Sequence, residues 1–165
     1  MNEVTWIDEN EDTVTGKYLT FNLGQEVYGL EISVVTEIVG MQSITEVPDL
    51  PVYMKGVINL RGKIVPVIDA GIKFGKPPII YHDRTCIIIM EIENALIGLI
   101  VDKVNEVIDI PEENVVPPPD GKTGFSSQFV KGIGMVGNDM KLLIDSFKIF
   151  SRDVEQSILG SGMEE

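Results

Sequence analysis

The chain of 165 residues contains an internal repeat, and this repeat constrains its fold more than any other feature of the sequence. With an offset of 69 residues, the matches are Phe21 with Met90, Gly29-Leu30 with Gly98-Leu99, Ile32 with Val101, Val35 with Val104, Glu37 with Glu106 and Ile38 with Val107. With an offset of 76, they are Lys55-Gly56-Val57 with Lys131-Gly132-Ile133, Ile64 with Met140, and Val67-Ile68-Asp69 with Leu143-Ile144-Asp145. The chain therefore looks like a tandem duplication of a small five-stranded unit, with copies at about 17–75 and 85–151.

The composition of both copies favours strands over helices. Isoleucine and valine together contribute 41 residues, whereas leucine and alanine contribute 12. β-branched side chains lose rotamer freedom in helices and pack well on pleated sheets. Short apolar runs separated by turn residues predict four hairpins, over residues 18–32, 57–68, 86–101 and 133–144. Such a pattern predicts an all-β protein of two packed units that share one core, because about 60 residues are marginal for an independent core.

One helix is expected, and it follows the last strand. Phe147–Leu159 places apolar residues on one face, with Asp145 or Ser146 as the N-cap and Gly160 at the C-terminal end. The formal net charge of −13 is concentrated at the ends, since residues 1–12 and 153–165 contain acidic residues and no basic ones. We therefore expect a disordered acidic tail over 1–13, a folded domain over 14–150, and the end of the helix with a flexible tail over 151–165.

Composition and charge exclude several classes of protein. No window clusters lysine and arginine as a phosphate-binding surface requires, so nucleic acid is not an expected partner. No signal peptide is recognisable, and no apolar run approaches the roughly 20 residues needed to cross a bilayer. The single cysteine excludes an internal disulfide and fits a reducing compartment. We expect a soluble, cytoplasmic protein that does not insert directly into the membrane.

The sequence contains residues that resemble parts of enzyme and cofactor sites, but the residues around them do not suit such sites. Gly132–Gly137 matches the G-x-G-x-x-G string, but a β-rich segment follows it where a dinucleotide site needs a helix. His82 is the only histidine and lies in a turn without a nucleophile nearby. Cys86 opens an apolar strand, which favours a buried, inert thiol over a reactive one. No spacing of His, Cys and acidic residues suggests a metal site, so we expect no catalytic residue, no cofactor and no metal.

The two copies differ most clearly at one turn. The first copy has Arg61 within Asn59–Lys63, whereas the counterpart in the second copy, Gly134–Asp139, contains no basic residue. An arginine in a turn is most often a solvated surface charge. Arginine is also the charged residue most enriched at interfaces, because its planar guanidinium forms several directed hydrogen bonds.

Four segments resemble the CheW family of bacterial chemotaxis coupling proteins. They are FNLGQEVYGL at 21–30, VTEI at 35–38, KGVINLRGKIVPVID at 55–69 and GLIVD at 98–102, and the match extends over about residues 14–150. The resemblance implies two five-stranded SH3-like β-barrels that share a hydrophobic core, which agrees with the duplication found in the sequence.

The resemblance also implies a function and a site. Proteins of this family are non-enzymatic adaptors that couple the cytoplasmic tips of chemoreceptors, the methyl-accepting chemotaxis proteins, to the regulatory domain of the histidine kinase CheA. They work in the cytoplasm at membrane-associated receptor arrays. The receptor-binding positions of the family correspond here to Val35, Glu37, Gly56 and Arg61, and Cys86, Val104 and Val107 fall near further positions of the same groove. Cys86 stands where the family often has valine.

A receptor tip is a helical hairpin, so its site needs an apolar strip flanked by polar groups. We expect Val35 with Val104 to supply the strip, and Glu37 to pair with Arg61. Gly56 would be required either because a side chain would enter the contact plane or because its φ is positive. Two alternatives stay open: a CheW-like adaptor of another receptor and kinase pathway, and a small-molecule-binding barrel, which would need a cavity with convergent polar groups.

Overall fold

A computed structural model describes residues 15–118 and 129–149 of the chain. Within these ranges, eleven strands and two short α-helices follow one another. The strands are β1 (Lys17–Leu23), β2 (Glu26–Glu31), β3 (Val35–Gly40), β4 (Met54–Leu60), β5 (Lys63–Asp69), β6 (Cys86–Ile92), β7 (Ala95–Val101), β8 (Lys103–Asp109), β9 (Val115–Val116), β10 (Val130–Val136) and β11 (Asp139–Ile144); the helices are α1 (Ala70–Lys73) and α2 (Ser146–Ile149). The predicted N-terminal tail and the predicted helix beyond residue 149 lie outside the described residues.

The strands form two sheets, which we name barrel A and barrel B. Barrel A has the strand order β8-β1-β2-β11-β10-β9, and barrel B has the order β3-β6-β7-β5-β4. All pairs are antiparallel except β2 with β11 and β5 with β7, which are parallel. The predicted fold class, two SH3-like barrels of an all-β protein, is confirmed, but barrel A has six strands instead of the predicted five, because the two-residue strand β9 pairs with β10.

The two copies of the repeat are interleaved rather than separate. Barrel A combines β1 and β2 of the first copy with β8, β10 and β11 of the second copy, and the short strand β9 is added beside β10. Barrel B combines β3, β4 and β5 of the first copy with β6 and β7 of the second. The parallel pairs β2–β11 and β5–β7 are where the copies join within each barrel. The repeat aligns five strands of the first copy with five strands of the second. Each barrel contains one strand from every aligned pair, so each barrel needs both copies to be complete.

A shared core lies between the barrels, as the sequence predicts. Its buried side chains come from both sheets. Strand β6 contributes to this core with one face and to the interior of barrel B with the other. Ile88 and Met90 face the shared core, whereas Ile87 and Ile89 face the interior of barrel B. Because successive side chains point to opposite faces of a strand, β6 must be apolar on both. This explains its continuous run of β-branched residues.

The four predicted hairpins are all present, and their turns are two residues long. Each turn is one residue shorter than the sequence suggests, because the third residue already belongs to the next strand; the turns are Gly24-Gln25, Arg61-Gly62, Glu93-Asn94 and Gly137-Asn138. Helix α2 begins where predicted, and the backbone N–H of Lys148 donates to the carboxylate of Asp145 at 3.3 Å. In the described residues, no helix is long and apolar enough to cross a membrane.

Candidate functional site

Strands β3 and β8 occupy the same position in the two copies of the repeat, and each forms an edge of its sheet. β3 pairs with β6, and Ile38 lies opposite Ile88. β8 pairs with β1, and Val107 lies opposite Leu19. Since Ile88 and Leu19 both face the shared core, their neighbours on the edge strands point to the same side. We name this surface, formed by Val35, Ile38, Cys86, Val104 and Val107, the inter-barrel groove, after the receptor groove that the family resemblance predicts at these positions.

The groove has a buried floor and an exposed apolar rim. Val35 is only 5% exposed and belongs to the shared core, and Val104 is half-buried against it. Ile38 and Val107 are 42% and 38% exposed, which is high for large aliphatic side chains. The structure therefore places Val35 in the floor and not on the predicted surface strip. Sequence reasoning missed Ile38, although its alignment with Val107 in the repeat could have identified it.

Cys86 joins the two barrels at the bottom of the groove. The residue is half-buried on β6, and the backbone N–H of Val104 on β8 donates to its thiol group. Burial raises the pKa of the Cys86 thiol, and the hydrogen bond from Val104 opposes this effect only in part. A thiol with a raised pKa remains protonated at neutral pH and is a poor nucleophile. The arrangement agrees with the prediction of an unreactive cysteine.

Gly56 is required by the backbone of β4. Its φ is 139°, and a Cβ atom at this position would lie 2.2 Å from the carbonyl oxygen of Thr45. Thr45 forms two backbone hydrogen bonds with Val57, of 2.8 and 2.9 Å, so its carbonyl cannot move away. Gly56 is itself buried and does not reach the contact surface. Of the two predicted reasons for glycine, the structure supports the positive φ and adds the close approach of Thr45.

Glu37 and Arg61 form the predicted ion pair. Arg61 lies in the β4–β5 turn, where its own φ of 52° and that of Gly62, 90°, give the tight turn that joins the strands. The guanidinium group donates through Nη2 to Oε2 of Glu37 on β3. β3 and β4 are the opposite edges of barrel B, so the ion pair connects the two edges. The Arg61 side chain is 68% exposed, which leaves most of its donors accessible.

The described residues contain no group of three or more His, Cys, Asp and Glu side chains that could hold a metal ion. His82 lies on an exposed loop, where its Nδ1 accepts a hydrogen bond from the backbone N–H of Arg84 at 3.1 Å. In the part of the chain that the structure describes, the features that could contact a partner are therefore the exposed aliphatic side chains of β3 and β8 and the exposed Arg61, which is paired with Glu37.

Comparison with known proteins identifies relatives that cover most of the chain. A family model described as the CheW-like domain matches residues 17–154. The chemotaxis protein CheW of Klebsiella aerogenes is 34% identical over 142 residues, which cover 86% of each protein. The chemotaxis protein CheW of Treponema pallidum is 32% identical over 144 residues, 81% of each. The crystal structure of the scaffolding protein TtCheW from Thermoanaerobacter tengcongensis matches with a TM-score of 0.77 and 42% identity, covering 84% of this chain and 94% of that one.

Proposed function

The chain belongs to the CheW-like family, and from this premise we propose that it is a non-enzymatic adaptor of bacterial chemotaxis. Relatives named chemotaxis protein CheW and a related scaffolding protein support the adaptor role. In our proposal, the protein couples the cytoplasmic tips of chemoreceptors to the regulatory domain of the histidine kinase CheA. It would do so in the cytoplasm, at the membrane-associated receptor arrays.

The observation that carries the receptor contact is the pair of exposed aliphatic side chains in the inter-barrel groove, Ile38 and Val107; Arg61, which Glu37 of β3 holds, is a separate exposed group. A helix that packs along β3 and β8 would bury Ile38 and Val107, which are partly exposed to solvent in the unbound protein. Helical partners bind such grooves through an apolar stripe with a spacing of three and four residues. Val35, Cys86 and Val104 would act below this contact by shaping the floor, and Gly56 by holding β4 against Thr45.

Arg61 would supply the specificity of the contact. Glu37 engages one terminal nitrogen of the guanidinium group, and a guanidinium has five N–H donors in a planar fork. The remaining donors suit a carboxylate or a backbone carbonyl of the receptor. An exposed ion pair contributes only about 0–1 kcal/mol to stability, so the function of Glu37 would be to orient Arg61.

The substitution Arg61→Asp tests this role. We expect it to abolish the pull-down of a receptor-tip fragment, because it replaces the donor group by a negative charge beside Glu37. The melting temperature should change little, because the side chain is exposed. Lys63→Asp provides the matched control, since Lys63 is an exposed lysine of the same hairpin. Retained binding by Arg61→Asp, or equal loss in both variants, would contradict the assignment.

Chemical-shift mapping tests the coupling itself. A receptor-tip fragment should perturb the amides of β3 and β8, including Ile38 and Val107. The regulatory domain of the kinase should perturb a second, separate patch, because an adaptor must hold both partners at once. If neither partner shifts any resonance, or if both shift the same residues and compete, the coupling proposal is wrong.

A further inference from the structure

Within the residues that the structure describes, the corresponding ends of the two barrels are lined by different side chains. In barrel B, the end where β5 and β7 run side by side is closed by Tyr81, which comes from the loop after α1. The Tyr81 hydroxyl donates to Oδ2 of Asp69 at 2.6 Å, which anchors the ring there. Met41, Ile44 and Ile100 pack with Tyr81 in the same cluster. This end of barrel B is therefore covered by apolar side chains of one hydrophobic cluster.

The same end of barrel A holds an open cavity of about 570 Å³. Its wall contains Ile110 and Val115 where barrel B has Met41 and Ile44, but Glu31 stands where barrel B has the buried Ile100. Exchanging an aliphatic side chain for a carboxylate prevents the end from closing by hydrophobic packing. The volume lies within the range of about 300–1,000 Å³ that is typical of small-ligand sites.

One tyrosine side chain that lines this cavity is mostly buried. Tyr18 lines the cavity and is only 8% exposed. Its ring lies 5.5 Å from Nζ of Lys131, but among the residues that the structure describes its hydroxyl oxygen has no hydrogen-bond partner. Buried polar groups are nearly always hydrogen-bonded, so an orphaned one indicates an absent ligand or water. Burial and then the nearby carboxylate of Glu112 raise the pKa of Tyr18, which keeps the hydroxyl neutral.

The charges around the cavity favour a cation. Three carboxylates line it, of which Glu31 is paired with Lys131 and Asp109 with Lys17. Glu112 has no ion-pair partner in the part of the chain that the structure describes. The groups without a protein partner among the described residues are therefore the exposed Glu112 carboxylate and the phenolic oxygen of Tyr18, and both accept hydrogen bonds. An anion would meet three acidic side chains and a lysine that is already paired.

We propose that the open end of barrel A binds an organic cation, an ammonium or guanidinium group on a short aliphatic stem. The head group donates hydrogen bonds to the Glu112 carboxylate and to the hydroxyl oxygen of Tyr18. The stem packs against Ile110 and Val115, which form the apolar part of the wall. The same chemistry occurs in a free amine or guanidine and in an arginine side chain of a protein partner, and the experiment distinguishes these sources.

The test titrates n-propylguanidinium into the full-length protein and follows the backbone amides by NMR. We expect saturable shifts at Gly16, Ile110 and Val115. The neutral isostere n-propylurea should bind at least about tenfold more weakly, because it lacks the charge-assisted hydrogen bond to Glu112. Glu112→Gln should weaken binding of the cation by about the same factor. Glu113→Gln, which neutralises the exposed neighbouring acid outside the cavity wall, should leave binding unchanged.

Tyr18→Phe removes only the hydroxyl group. It should weaken binding of the cation several-fold while the fold is retained.

A blocked Gly-Arg-Gly peptide then distinguishes the sources of the ligand. Tighter binding of the peptide than of n-propylguanidinium indicates a side chain of a protein partner, and equal or weaker binding indicates a small free cation. The proposal is overturned if neither probe gives saturable shifts at this end, if n-propylurea binds equally well, or if Glu112→Gln and Glu113→Gln behave alike.

Discussion

At the scale of single residues, Glu37 and Arg61 illustrate how a weak interaction can set a geometry. The two residues are 24 positions apart in the chain and meet across the edges of barrel B. Their attraction contributes little to stability because solvent screens both side chains. What it supplies is a fixed direction for an exposed guanidinium group. Gly56 differs from this pair, because it has no side chain to orient and is required only by the conformation of the backbone and the close approach of Thr45.

Gly56 allows a sharp prediction about stability. The substitution Gly56→Ala places a Cβ atom against the Thr45 carbonyl at a φ that disfavours side chains, and we expect a loss of about 3 kcal/mol in the free energy of unfolding. Gly40→Ala on β3 is the control, because a Cβ atom there has nothing within 4 Å. Urea denaturation measures both variants. Similar midpoints for Gly56→Ala and the unsubstituted protein would contradict the steric account.

The ionisation of Tyr81 should make the stability of the protein depend on pH. Burial, and then the hydrogen bond and the charge of Asp69, raise the pKa of Tyr81 above its ordinary value of 10.0. Above about pH 10, the unfolded state releases the phenolic proton while the folded state retains it, so stability falls as pH rises. Below that pH both states are protonated, and the full contribution is present.

The variant Tyr81→Phe isolates this effect. At neutral pH it should lower the free energy of unfolding by about 1 kcal/mol, the net contribution of a lost hydrogen bond. As the pH rises through about 10, the difference between the two proteins should narrow, because phenylalanine cannot ionise. Thermal unfolding at a series of pH values measures it. A difference that widens with pH would show that the sign is wrong.

At the scale of elements, the parallel pairs β2–β11 and β5–β7 hold the two copies together. Glycine occupies the crowded position of each pair, with Gly29 opposite Leu143 and Gly98 opposite Val67. A Cβ atom at Gly29 would meet the tip of Leu143 at 2.9 Å. A Cβ atom at Gly98 would lie 2.7 Å from both Val67 and Ile87. At Gly29 the neighbour is the end of a flexible leucine side chain, whereas at Gly98 both neighbours are stiff β-branched side chains.

This difference predicts unequal costs for the same substitution. Gly98→Ala should destabilise the protein by about 1–3 kcal/mol, because β-branched neighbours are stiff and the core is already filled. Gly29→Ala should cost less, since the leucine tip can rotate away. Chemical denaturation of the two variants measures the ranking. If Gly29→Ala proves the more costly, then packing at the junctions does not follow the stiffness of the neighbouring side chains.

At the scale of the whole molecule, interleaving makes each barrel depend on both halves of the chain. A fragment of residues 1–83 provides only β1 and β2 to barrel A, and a fragment of residues 84–165 provides only β6 and β7 to barrel B. The shared core also draws on both fragments. We expect each fragment alone to give the NMR spectrum of an unfolded chain, and an equimolar mixture to recover the native spectrum. A single fragment that folds alone would contradict this dependence.

The sequence by itself determined the local architecture of the protein. The four hairpins and the Asp145 cap depend on neighbours within a few residues, and both are confirmed. The family and the pairing of Glu37 with Arg61 followed from matched motifs, and the comparisons and the geometry bear them out.

Only the tertiary structure decided how the copies combine and which side chains remain exposed. Local patterns cannot distinguish two separate barrels from two interleaved ones, because every hairpin is the same in both arrangements. The exchange depends on the parallel pairs β2–β11 and β5–β7, which join distant residues. That exchange buries Val35, leaves Ile38 exposed, and places Tyr18 in the wall of a cavity lined by the described residues of barrel A. Burial is a property of the assembled surface, so the repeat could mark Ile38 and Val107 as equivalent positions but could not show how exposed each of them is.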